Sequence, residues 1–247
     1  MKYFITAAAA AVALAVTAAG SWLVFEIGGE WWNIVACILL CALFFPLAAQ
    51  LHELGHKLFG LFVKMDVKLG KFALFSPSSC TVMPKSSKNI RRSFIVTACG
   101  GIAVNFVFAA AGIALMCCAN EASIGLFIAP SSLYLLIINA VPTGSGESAT
   151  DMRMIIDAAK NTEEWQVLER VLTIQGRLYE GTPIEDIEED LFFSVPQIAE
   201  DEPAFIMLVS LRADYYAAKG DGKSAEKWSA RLRQLIDDYA PQSVTDK

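Results

Sequence analysis

Charge is what this chain lacks most. Charged residues make up 19% of it against 55% hydrophobic, and the mean hydropathy is +0.44, too apolar for an ordinary water-soluble domain. Histidine is scarcer still, with two in 247 residues, so no site built on three imidazoles can form within one chain. The six cysteines (Cys37, Cys41, Cys80, Cys99, Cys117 and Cys118) show no CxxC spacing, and five lie in apolar runs. They signal neither a disulfide framework nor a cysteine zinc site. A basic tail is missing too: residues 151–247 carry 11 Lys and Arg against 20 Asp and Glu, which gives no footing for a nucleic-acid partner.

What is present is long apolar runs. Residues 1–150 hold nine Lys and Arg and six Asp and Glu, so this part and the acidic 151–247 read as two domains in different solvents. A spanning helix needs about 20 mostly apolar residues, and four stretches approach this: 3–25, 34–56, 94–118 and 123–141. The first, MKYFITAAAAAVALAVTAAG, also has the outline of a secretory signal. Its apolar run continues through SWLVF to Phe25, longer than a signal core, and so reads as a retained helix.

Lys and Arg set the direction. The loops EIGGE (26–30) and NEAS (120–123) have none, whereas the segment between the second and third spans holds Lys57, Lys64, Lys68, Lys71, Lys85, Lys88, Arg91 and Arg92. That segment, the N-terminus and the domain after residue 150 are therefore expected on the cytoplasmic side of a multi-pass cell-membrane protein. Trp31 and Trp32 fall at the outer interface, where amphipathic rings prefer to lie.

Both histidines sit at the inner end of the second span, in AAQLHELGHKLFG. Residues four apart on a helix share a face, so His52 and His56 can offer imidazole nitrogens to one ion. HExxH is a zinc pattern with the glutamate, here Glu53, as base. Ionisable groups at membrane depth are costly and mark function. A catalytic zinc takes three protein ligands, and with no third histidine the last must be a carboxylate. Glu147 and Asp151 in NAVPTGSGESATDMRMI are the candidates, and Gly144 and Gly146 let that segment turn back. In the third span Gly101, Asn105, Ala109 and Gly112 recur at helical spacing and form a small-residue face for close packing. Asn105 is the polar group on it, and Asn139 lies one turn before Pro142.

HELGH inside a span, GGIAVNF in the next and NAVP…TD closing the last resemble the site-2 protease family of intramembrane zinc metalloproteases, over roughly residues 31–155. The resemblance implies zinc held by His52, His56 and Asp151, with Glu53 as base and Asn105 near the metal, holding substrate or an oxyanion. Asn139 is a second, weaker candidate for that role. It also implies a transmembrane protein as substrate, cleaved in or near its spanning segment. DVKLGKFALF, turned by SPSSC, is expected to form a short β-hairpin. The family implies that its edge pairs with an unwound substrate.

The tail reads as helices at 151–160, 162–179, 184–192, 203–219 and 222–239, broken at EGTP and KGDG. Residues 203–241 resemble one tetratricopeptide-like hairpin, with Tyr215, Tyr216, Trp228 and Leu232 as core, and this domain is where a protein partner would dock. The expected fold is an all-α polytopic membrane protein of about four spans with a β-hairpin loop, followed by a small soluble α-helical domain. Two other functions fit the same residues: an inactive zinc-binding relative, and a membrane-anchored helical adaptor.

Overall fold

The computed structural model describes residues 2–25, 31–70, 80–118 and 122–239. They form helices α1 (Lys2–Phe25) and α2 (Trp31–Phe62), strands β1 (Met65–Leu69) and β2 (Cys80–Pro84), and helices α3 (Ile90–Cys118) and α4 (Ala122–Ala140). Five further helices follow: α5 (Asp151–Lys160), α6 (Glu163–Tyr179), α7 (Asp190–Phe193), α8 (Pro203–Ala218) and α9 (Gly222–Tyr239). The chain divides into two compact units. One comprises residues 1–82, 94–143 and 150–155, and the other comprises 83–93, 144–149 and 156–247. The division therefore assigns the start of α5 to the apolar unit, and it assigns residues 83–93, from the end of β2 to the first turn of α3, to the second unit.

Among the described residues three helical stretches are long and apolar enough to cross a membrane: Tyr3–Leu23, Ile38–Phe62 and Ile90–Cys117. Among the described residues the fourth expected span gives a shorter apolar stretch, Ile124–Ala140. At 1.5 Å per residue this falls a few ångströms short of a hydrocarbon core of about 30 Å.

Inside such helices every polar group needs an internal partner. In α1, Thr17 and Ser21 donate to the carbonyls of Ala13 and Thr17, at 2.9 and 2.7 Å. Pro130, inside α4, has no N–H to give the carbonyl of Leu126 one turn back. The buried Cys41 thiol of α2 donates to that carbonyl at 3.4 Å, and Ser131 donates to the Cys41 carbonyl at 3.2 Å. The proline's lost hydrogen bond thus becomes a tie between α2 and α4. Pro46 leaves α2 unbroken from Trp31 to Phe62.

β1 and β2 form a two-stranded sheet. The first strand lies in the expected DVKL, while the second begins at Cys80. Residues 71–79, which hold the rest of the expected first strand and all of the expected SPSSC turn but Cys80, lie outside the described residues.

In the second unit, Val167, Val171 and Ile174 form one face of α6 and pack with Ile187, Leu191, Phe192, Leu208 and Tyr215. Thr162 caps α6, accepting from the Trp165 N–H at 3.3 Å. Arg212 donates through Nε to the Phe192 carbonyl at 2.8 Å, and its guanidinium lies over the Trp228 ring at 4.8 Å. The helix expected at 184–192 is instead a 3-10 turn at Ile184–Asp186 and the single turn of α7. A continuous helix would set Glu185 against Glu189 and Asp186 against Asp190, like charges four apart. The broken path still buries Ile187, Leu191 and Phe192.

Candidate metal centre

The site begins with an unusually close helix crossing. A methyl group on Gly55 of α2 would lie 2.8 Å from the Gly100 carbonyl carbon, and one on Gly100 of α3 would lie 2.7 Å from that of Gly55. Only glycines let the two backbones meet in this way. One residue on, Gly101 faces the histidines: a Cβ there would stand 2.6 Å from His56 Nε2 and 2.7 Å from His52 Nε2. The absence of a side chain at Gly101 keeps open the space in front of both nitrogens.

The carboxylate arrives from the far side of the sequence. After α4 the chain turns through Gly144 at φ +82°, where a Cβ would lie 2.6 Å from the Ser148 carbonyl carbon. Thr150 pins the end of this turn. Its hydroxyl donates to the Val141 carbonyl at 2.8 Å and accepts from the Thr143 N–H at 3.1 Å, and its own N–H reaches the Thr143 carbonyl at 3.0 Å. The next residue, Asp151, opens α5 and is 5% exposed.

His52, His56 and Asp151 thereby converge, each offering a donor atom within 4.8 Å of the others. The two Nε2 atoms are 3.1 Å apart. Asp151 Oδ2 lies 3.2 Å from His52 Nε2, and Oδ1 lies 3.5 Å from His56 Nε2. Ligands at zinc distances of 2.0–2.1 Å in a tetrahedron stand about 3.3 Å from one another, so the three donors fit the edges of such a polyhedron. Asp151 Oδ2 is buried against His52 Nε2 and accepts from no backbone group, which leaves it a lone pair for a cation. Glu53 and Asp151 are both buried, and a divalent ion held there would offset the charge of buried carboxylates. The group can hold a metal ion.

Each outer ring nitrogen meets a buried polar group, as those of metal-ligating imidazoles do. His56 Nδ1 donates to the Thr97 carbonyl at 2.9 Å, which directs the Nε2 lone pair inward. His52 Nδ1 lies 2.8 Å from the Asn105 amide, and Asn105 is 1% exposed. For His52 Nε2 to act as a ligand, Nδ1 must carry the proton and the amide must turn its oxygen towards it. Glu53, on the same helical turn as His52, hydrogen-bonds the Cys80 thiol at the start of β2. Burial, then the Glu53 charge, pushes that thiol well above its ordinary value of 9.0.

The residues read from the sequence are therefore placed as follows. His52, His56 and Asp151 form one cluster, Glu53 is buried on α2 next to His52 in sequence and meets Cys80, and Asn105 lies behind His52. Asn139 donates to the Leu135 carbonyl of its own helix at 3.1 Å. The side chain of Glu147 lies outside the described residues. Thr97, Gly55, Gly100 and Cys80 were not singled out as site residues, and of these only the glycines in HELGH and ACGG carry a readable signal. Comparison with protein-family models, with curated proteins and with solved structures finds no match to this chain.

Proposed function

We propose that this chain is an intramembrane zinc metalloprotease that hydrolyses a peptide bond in or near the spanning segment of a membrane protein. The convergence of His52, His56 and Asp151, at tetrahedral edge distances, supports this reading most directly. His52 and His56 supply neutral nitrogens and Asp151 an oxygen, a donor set suited to zinc. Zinc held by His52, His56 and Asp151 would supply a Lewis acid to polarise a carbonyl and acidify water.

The chain's own groups do the rest. Glu53 takes the proton from the attacking water and returns it to the leaving amine. Thr97 and Asn105 hold the imidazoles in one orientation, and Gly101 leaves room in front of them. Burial of the cluster excludes bulk water, and β2, which carries Cys80 to Glu53, offers backbone groups to an unwound substrate strand. In this reading α4 is the fourth span, and residues 57–92 and the second unit are cytoplasmic, following the Lys and Arg pattern.

The test is cleavage of a transmembrane reporter by the purified protein in lipid, with Glu53→Gln beside it. Glu53→Gln abolishes cleavage and retains zinc, because Glu53 is a base and not a ligand. Undiminished cleavage, or loss of zinc, would remove Glu53 from its role. Zinc binding by the wild type without cleavage of any reporter would favour the inactive relative. A reporter domain fused after Lys88 is expected on the cytoplasmic side, and an external position would overturn the orientation.

A further inference from the structure

The second unit contains a cleft of about 750 Å³ between the turn Ser145–Ser148, the start of α8 and the end of α9. Its floor is apolar: Ile206 and Met207 come from α8, and Ile236 and Tyr239, three apart, come from α9. Met207 is 38% exposed, and Ile236 and Tyr239 are each 45% exposed. Asp201, Glu202 and Asp238 line the rim, and among the described residues none lining the cleft is basic.

An apolar floor with a rim of one sign selects a partner that is itself amphipathic and of the opposite sign. The cleft's volume lies within the range of built binding sites. The whole stretch 151–247, with 11 basic against 20 acidic residues, extends the same field and repels an acidic partner.

We infer that this cleft docks the basic juxtamembrane segment of a membrane protein, the cytoplasmic Lys- and Arg-rich stretch that follows or precedes a spanning helix. That stretch has the required chemistry, because cytoplasmic flanks of spans are enriched in Lys and Arg next to apolar residues. A substrate entering a membrane-buried site brings its flank to the same side, so this inference rests on the protease reading for the identity of the partner. The cleft's chemistry does not depend on that reading.

The experiment uses the full-length chain carrying Glu53→Gln, reconstituted in phosphatidylcholine nanodiscs. The probe is a fluorescein-labelled peptide of lysine and leucine at helical spacing, read by anisotropy against empty nanodiscs. The peptide binds, and added salt weakens it. Asp201→Lys together with Asp238→Lys weakens binding on the order of tenfold, and the same double variant binds a glutamate–leucine peptide that the parent chain rejects. That regained binding also shows the variant to be folded. Equal binding of both peptides by both proteins would overturn the inference. So would binding that appears only after truncation at Tyr239, because the chain's own end would then be the occupant. In the chain with Glu53 intact, the double variant raises KM for a lysine-flanked reporter and leaves kcat unchanged. An unmoved KM would overturn the assignment to substrate. Peptide binding with no reporter cleaved would overturn the protease reading and keep the groove.

Discussion

Replacing Gly101 with alanine adds one methyl group and asks whether the space before the histidines is functional. Its Cβ would lie 2.6 Å from His56 Nε2 and 2.7 Å from His52 Nε2, about 0.8 Å inside ordinary contact at 3.4 Å. Metal sites tolerate ligand displacements of only about 0.2 Å, so shifts of the size needed to relieve the clash take the donors out of range. Overpacking alone costs about 1–3 kcal/mol, which the folded protein survives. Gly112→Ala is the matched control, because its Cβ would meet the Ala129 backbone nitrogen at 2.8 Å, a comparable clash between helices with no histidine involved. The assay is metal content by mass spectrometry on monodisperse protein, with thermal stability measured alongside. Gly101→Ala loses nearly all its metal and Gly112→Ala keeps it, with similar losses of stability. Full metal content in Gly101→Ala would refute the argument that this glycine exists to clear the site.

Two further outcomes follow from the surroundings of the site. Asn105→Leu is expected to weaken zinc affinity 10–100-fold through His52, and Asn105→Asp to restore much of it, both measured by competition with a chelator. Unchanged affinity with reduced kcat would instead place Asn105 on the substrate or an oxyanion. Cys80 is expected to alkylate slowly near neutral pH, because burial and then the Glu53 charge hold its thiol above 9.0. Only the thiolate reacts, so Glu53→Gln moves the pH–rate profile to lower pH, and an unmoved profile would separate the two groups.

Much of the site was legible because its chemistry is local in sequence. HELGH places two nitrogens and a carboxylate on adjacent faces of one helix, and the shortage of histidine requires a carboxylate as third donor. The spacing of Gly101 and Asn105 marks the helix face that meets them. Other features depend on tertiary contact. Thr97 acts through its carbonyl, which no residue type advertises, and Cys80 meets Glu53 only because β2 starts there. Within the fold, the apolar helices were readable from composition, whereas the break in 184–192 reflects repulsion among clustered acids that the helical spacing of Ile184, Ile187 and Leu191 conceals. Glu147 and Asp151 could not be separated by residue chemistry alone. Thr150 decides what the structure shows, by stapling the turn so that Asp151 opens α5 beside the histidines.

The most direct test of the metal centre is zinc stoichiometry in purified wild type, Asp151→Ala and Glu147→Ala, measured under identical conditions. The expected result is one zinc per chain in the wild type and in Glu147→Ala, and loss of zinc in Asp151→Ala, because two histidines alone hold the ion too weakly to survive purification. Retention of zinc by Asp151→Ala with loss in Glu147→Ala would contradict the three-residue site, and a wild type without bound metal would contradict the account as a whole.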